Sequence, residues 1–274
     1  MRAAGFGSST SKDEAAKLPK SRDEAVSQAA AAIGAQLTAG SKGSKGFTGA
    51  SRKLCVDVPV LESGGAAMVQ LAQDIIAALP KSLRQQFTIV SCAEDGAGSG
   101  SGSSSSGGVR VVSLQSVVAR GEDLDGCLLI AGPSSSQLDA IMRLLAYWRG
   151  AGAVALNADW SAETAPVEQV AFIKSFEAVY CFLPLIVKVL FIGKEGAVFK
   201  WCTAGNPNSA PWRIFGKEGS RLEQIGQMKH RPSNADLEAV FYNAFGVNNP
   251  LNRGIQSLRN MVGGNGGGKD GGKQ

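Results

Sequence analysis

Residues Cys127 to Asn157, CLLIAGPSSSQLDAIMRLLAYWRGAGAVALN, constrain the fold more than any other stretch of this chain. CLLIA and GAVAL are short continuous apolar runs, as expected of buried strands. Between them, a Gly-Pro-Ser turn opens an amphipathic segment in which Leu138, Ile141, Leu144 and Leu145 recur at helical spacing. Strand, helix, strand in that order is a βαβ unit, the connection that parallel strands require. The chain is therefore predicted to be α/β, with a parallel, Rossmann-like sheet in its first part.

The rest of the chain extends this plan. Ser21, followed three residues later by Glu24, is a capping-box start for a helix that carries Ala25, Ala29, Ile33 and Leu37 on one face. Leu54 to Val60 reads as a strand, Gly65 to Leu79 as a helix and Phe87 to Cys92 as another strand. A helix is expected around Pro166 to Glu177. Strand-like runs then follow in quick succession: Val179 to Leu183, Leu185 to Ile192, Ala197 to Cys202 and Trp212 to Phe215. The separators Gly193-Lys194-Glu195-Gly196 and Gly205-Asn206-Pro207-Asn208 are turn chemistry, so these runs are expected to form antiparallel hairpins. The sheet is predicted to be mixed, parallel first and antiparallel in its C-terminal part. Ser233 caps a last helix from Asn234 to Phe245.

Composition sets the limits of the folded part. Ala93 to Gly108 (AEDGAGSGSGSSSSGG) is of low complexity and reads as a disordered insertion. Residues 263–274 form a Gly-rich tail of the same kind, and residues 41–51 a flexible connector. One domain is expected over residues 19–262. Residues 1–18 are read as a disordered start; the first twelve, MRAAGFGSSTSK, are basic, Ser-rich and free of acids, like the remnant of an organelle transit peptide.

Several function classes lose support at this level. The net charge of +5 comes from scattered lysines and arginines rather than a dense basic stripe, so no nucleic-acid partner is expected. The five cysteines are widely spaced with no CxxC pair, which points to buried free thiols rather than disulfides or zinc. A single histidine, His230, sits between Lys229 and Arg231 and reads as a surface residue, so no metal is expected. The turn after CLLIA is neither a GxxxxGK[ST] loop nor a GxGxxG dinucleotide turn, and no GxSxG elbow occurs, which leaves no catalytic residue and no cofactor to assign. The most apolar stretch, Ala178 to Gly193, is interrupted by Pro184 and Lys188 and reads as strands rather than a membrane span.

The best candidate ligand site is the turn Ser134-Ser135-Ser136, at the carboxyl end of the first βαβ strand, where open α/β sheets bind ligands. Its hydroxyls and amides suit a phosphate or carboxylate, and they equally suit the capping of a helix. Asn157 ends the second strand at the same edge and is read either as a site residue or as turn chemistry. Asp57 is a lone carboxylate in an apolar strand. It faces a ligand, forms a buried ion pair, or lies on an exposed face.

Taken in order, the segments LPKSRDEAVSQAAAAI, RKLCVDVPV, LLIAGPSSSQLDAIMRLL, AVALN, FEAVYCFLPL, GAVFKWC, PWRIF and RPSNADLEAVF resemble the plastid and cyanobacterial family called domain of unknown function 1995. The resemblance runs from Pro19 to Phe245, with Ser135 standing where the family's turn has an Asn. It implies a protein of the chloroplast stroma or the stromal face of the thylakoid, since one plant member serves photosystem II accumulation. By this resemblance the chain is a non-catalytic accessory protein. It would aid assembly or maintenance of photosynthetic complexes by binding a protein partner at the thylakoid surface, with room for peripheral membrane contact. The alternative is a phosphate- or nucleotide-type ligand domain, or an enzyme, working at the Ser-rich turn.

Overall fold

The capping signal at Ser21 is realised: its Oγ accepts a hydrogen bond from the Glu24 amide at 3.2 Å, while the Glu24 carboxylate accepts one from the Lys20 amide at 3.0 Å. The computed structural model describes residues 17–39, 51–62, 64–93, 104–106, 108–189 and 191–246. In its first half these form α1 (Arg22–Ala39), β1 (Arg52–Asp57), α2 (Gly65–Ala78), α3 (Lys81–Arg84), β2 (Phe87–Ser91), β3 (Ser104–Ser106), β4 (Val109–Ser113) and α4 (Leu114–Arg120). The βαβ unit is β5 (Cys127–Ala131), α5 (Leu138–Tyr147) and β6 (Gly152–Leu156). Then come α6 (Val167–Lys174), β7 (Glu177–Val189), β8 (Ile192–Trp201), β9 (Trp212–Glu218), β10 (Arg221–Met228) and α7 (Asn234–Phe241).

All strands join one sheet in the order β10-β9-β8-β7-β1-β6-β5-β2-β4-β3. From β7 to β4 the neighbours run parallel, and from β7 to β10 they alternate in direction. The fold is thus α/β with the mixed sheet that the hydrophobic pattern implies. β5 and β6 are buried throughout because helices cover both faces of the parallel part. α1 and α2 pack on one face, with Ile33, Leu71, Ile75 and Ile76 fully buried against Leu54, Val56 and Leu129. α4, α5 and the segment between α6 and β7 cover the other, through Leu114, Ile141, Leu145 and Phe176. Each such Leu, Ile or Phe contributes about 1.5–3 kcal/mol by leaving water. No helix among the described residues is long and apolar enough to cross a membrane.

Three details depart from the sequence reading. β7 runs unbroken through Pro184 to Val189, and Phe191, just before β8, takes a left-handed backbone (φ 70°). Pro184 lies past Cys181, the last residue paired to β1, so on that side its missing N–H costs no ladder bond. Gly193 to Gly196 are therefore inside β8, not in a turn. Gly196 serves close approach: a Cβ there would lie 2.4 Å from Cζ of Phe241 on α7. β10 is an added edge strand whose polar sequence carries no strand pattern. Within the low-complexity insertion, Ser104–Ser106 pair antiparallel with β4; the other readings of the insertion, the connector and both termini fall largely outside the described residues.

Candidate functional site

The carboxyl edge of the parallel strands is tightly stitched. After β5, Gly132 turns with φ 63° and its amide donates to the Leu156 carbonyl at 2.9 Å. The Asp159 amide returns a bond to Pro133 O at 2.8 Å, so the chains leaving β5 and β6 run side by side. Ser134 donates its amide to Oε1 of Gln137 at 3.0 Å, and Gln137 Nε2 donates to the Cys92 carbonyl at 2.6 Å. The hydroxyls of Ser134 and Ser136 are 2.8 Å apart. Ser135 and Ser136 are exposed.

Asn157 stands at the junction of β1 and β6. The connection after β1 passes through α2 on one face and that after β6 through α6 on the other, which makes this junction the switch point of the sheet. Asn157 adopts a left-handed backbone (φ 50°), which its short polar side chain tolerates. Its Oδ1 accepts from the Val58 amide and its Nδ2 donates to the Val58 carbonyl, both at 2.8 Å. The side chain thereby continues the β1–β6 ladder by one step across the switch point. The structure brings Asn157 and the three serines to one edge, as the pattern predicts.

Asp57, one residue before Val58, points elsewhere. It is 4% exposed, on the face that carries α6, and its Oδ2 lies 3.1 Å from Nη2 of Arg231. Burial pushes its carboxyl above the ordinary range, and Arg231 together with a hydrogen bond to the Cys181 thiol opposes that rise. The thiols of Cys55 and Cys181 on either side are driven up by burial, so they stay neutral. All five cysteines are free and buried. Of the three readings of Asp57, the buried ion pair is the one observed.

Arg231 opens onto a cleft of about 380 Å³. Its floor crosses four adjacent strands, through Cys55 of β1, Ala178 of β7, Lys200 of β8 and Trp212 of β9. α6 forms one wall and Lys229 to Arg231 the other. The physical origin is simple: the sheet extends beyond α6, and α7 packs farther out, on Val187, Ile214 and Val198, leaving a gap between the two helices. Lys200 is 3% exposed; its Nζ donates to the Ala210 carbonyl at 2.9 Å and sits 5.0 Å from the centre of the Trp212 ring. Burial lowers its pKa. The Arg231 guanidinium lies 5.6 Å from the same ring. Sequence reasoning passed over Lys200, although a lysine inside the apolar run AVFKWC was the available signal.

A second surface lies at the β7–β8 turn. Phe191 is fully exposed, and Ile186 and Ile192 are exposed beside it. Lys188 stands exposed between these apolar residues, and Lys194 sits 5.4 Å from the Phe245 ring.

The family model of a domain of unknown function (DUF1995) matches residues 19–239. No curated protein and no solved structure matches the chain.

Proposed function

Because the chain belongs to the family of domain of unknown function 1995, we propose that it is a non-catalytic accessory protein of chloroplasts. It binds a protein partner at the stromal face of the thylakoid and aids assembly or maintenance of photosynthetic complexes such as photosystem II. The observation that carries the binding part is the β7–β8 hairpin, which holds Phe191, Ile186 and Ile192 exposed to water. Burying such side chains in an interface recovers apolar transfer energy that the isolated chain forgoes. Lys188 and Lys194 on the same hairpin add attraction to an acidic partner or an anionic membrane face. The plastid location rests on the family resemblance alone.

The test is affinity purification of the tagged chain from gently solubilised thylakoids, read by mass spectrometry. Photosystem subunits or insertion machinery are expected to co-purify with the wild type and to be lost from a Phe191→Asp, Ile192→Asp variant. A wild-type bait that enriches no photosynthetic protein over a mock bait sinks the reading.

A second reading, a phosphate-type ligand at Ser134, Ser135 and Ser136, is favoured by the exposed Ser135 and Ser136 at the carboxyl edge. It predicts thermal stabilisation by a member of a sugar-phosphate and nucleotide panel, abolished by Ser135→Ala with Ser136→Ala. Stabilisation that survives both substitutions removes that site.

A further inference from the structure

The cleft beside α6 holds more positive charge than the fold requires. Lys174, Lys200, Lys229, His230 and Arg231 line it, and among the described residues no aspartate or glutamate does. Asp57 beneath the floor balances one of these charges through Arg231. The flanking carboxylates have partners of their own: Asp236 accepts from the Ser233 amide at 2.9 Å and lies 3.5 Å from His230, and Glu177 accepts from Asn208 at 3.1 Å. The three lysines therefore face a small cleft with no counter-charge among the described residues that line it.

Lys200 sharpens the point. A buried ammonium is costly unless it is well partnered, yet its only hydrogen bond among the described residues is the one to Ala210 O. An ammonium has three donors, so the remaining ones are available to an acceptor entering the cleft. Arg231 also reaches the cleft: its Nη2 lies 3.1 Å from Asp57, and its side chain is 50% exposed. The lining also carries apolar groups, Ile173, Ala178 and the Trp160 ring, which is braced by Phe176 at 5.4 Å between ring centres. Convergent cationic donors in a mainly apolar hollow of this size describe a small-ligand site, not a protein-docking surface.

We propose that this cleft binds a small phosphorylated molecule, its phosphate held by Lys200 and Arg231 and its carbon skeleton lying against Trp160. A phosphate dianion matches the surplus of lysine charge better than a single carboxylate does, and offers several acceptors to donors of differing direction. The inference rests on neither of the functional readings above, since it uses residues of neither the β7–β8 turn nor the serine turn.

Titration calorimetry of the full chain tests it with three probes: phenyl phosphate, inorganic phosphate and benzoate. Phenyl phosphate is expected to bind saturably and more tightly than inorganic phosphate, with benzoate weakest. Lys200→Met should weaken phenyl phosphate about tenfold, in line with loss of a charge-assisted hydrogen bond in a buried site. Lys174→Ala, on the exposed rim, should weaken it about threefold. This variant leaves the core untouched and decides the matter if Lys200→Met fails to fold. The proposal is overturned if the wild type shows no saturable binding of phenyl phosphate, if benzoate binds equally well, or if both variants keep wild-type affinity. Binding that disappears only on Ser135→Ala with Ser136→Ala overturns it as well, by moving the site to the β5 turn.

Discussion

Asn157 combines two constraints that rarely meet in one residue. Its backbone is left-handed, and its side-chain amide occupies both backbone groups of Val58 across the gap between β1 and β6. Asn157→Ala should leave the Val58 amide and carbonyl without these partners and place a Cβ in a disfavoured conformation. The expected cost is about 2–4 kcal/mol, from unmade hydrogen bonds and backbone strain together. Asn157→Gly should recover the backbone part and remain destabilised by the lost bonds. Urea unfolding of the three proteins measures this, and a loss below about 0.5 kcal/mol in the alanine variant would refute the role. Asn157 at a strand end was legible as a polar edge residue. That its amide would pair with Val58 was not, because the two are joined only by the order of strands in the sheet.

At the scale of elements, the parallel half was readable because each strand there is a short apolar run bounded by a helix of helical periodicity. The antiparallel half was less so. Glycines in GKEG suggest a turn by composition, yet Gly196 lies in mid-strand, where its backbone meets the ring of Phe241. Gly196→Ala would put a methyl group 2.3 Å from the Phe215 carbonyl as well. The helix α7 would then have to lift from the sheet, at a cost of about 1–3 kcal/mol, the range for overpacking. A lowered melting temperature with α7 contacts loosened in hydrogen exchange is the expected result; unchanged melting would show that the contact is slack. Without knowledge of α7 packing, a glycine kept for close approach and a glycine kept for a turn look alike in the chain.

For the molecule as a whole, two surfaces fall on different parts of one sheet. The hairpin end, with Phe191, lies on β7 and β8 beyond the stretch of β7 that pairs with β1, while the cationic cleft lies where the parallel and antiparallel parts meet. What the sequence determined by itself was the class of the fold, since apolar periodicity and capping are local properties that act within a few residues. It also determined the buried state of the thiols and the polar edge at Ser134 to Ser136, both of which follow from which residue types sit in or beside apolar runs. Only the tertiary structure decided that Asp57 pairs with Arg231, far along the chain, and that Lys200 and Trp212 come from neighbouring strands into one cleft. The physical reason is that strand order and helix placement are settled by the packing of the whole core. Residues on β1, β8, β9, α6 and the segment after β10 become neighbours only once that packing exists.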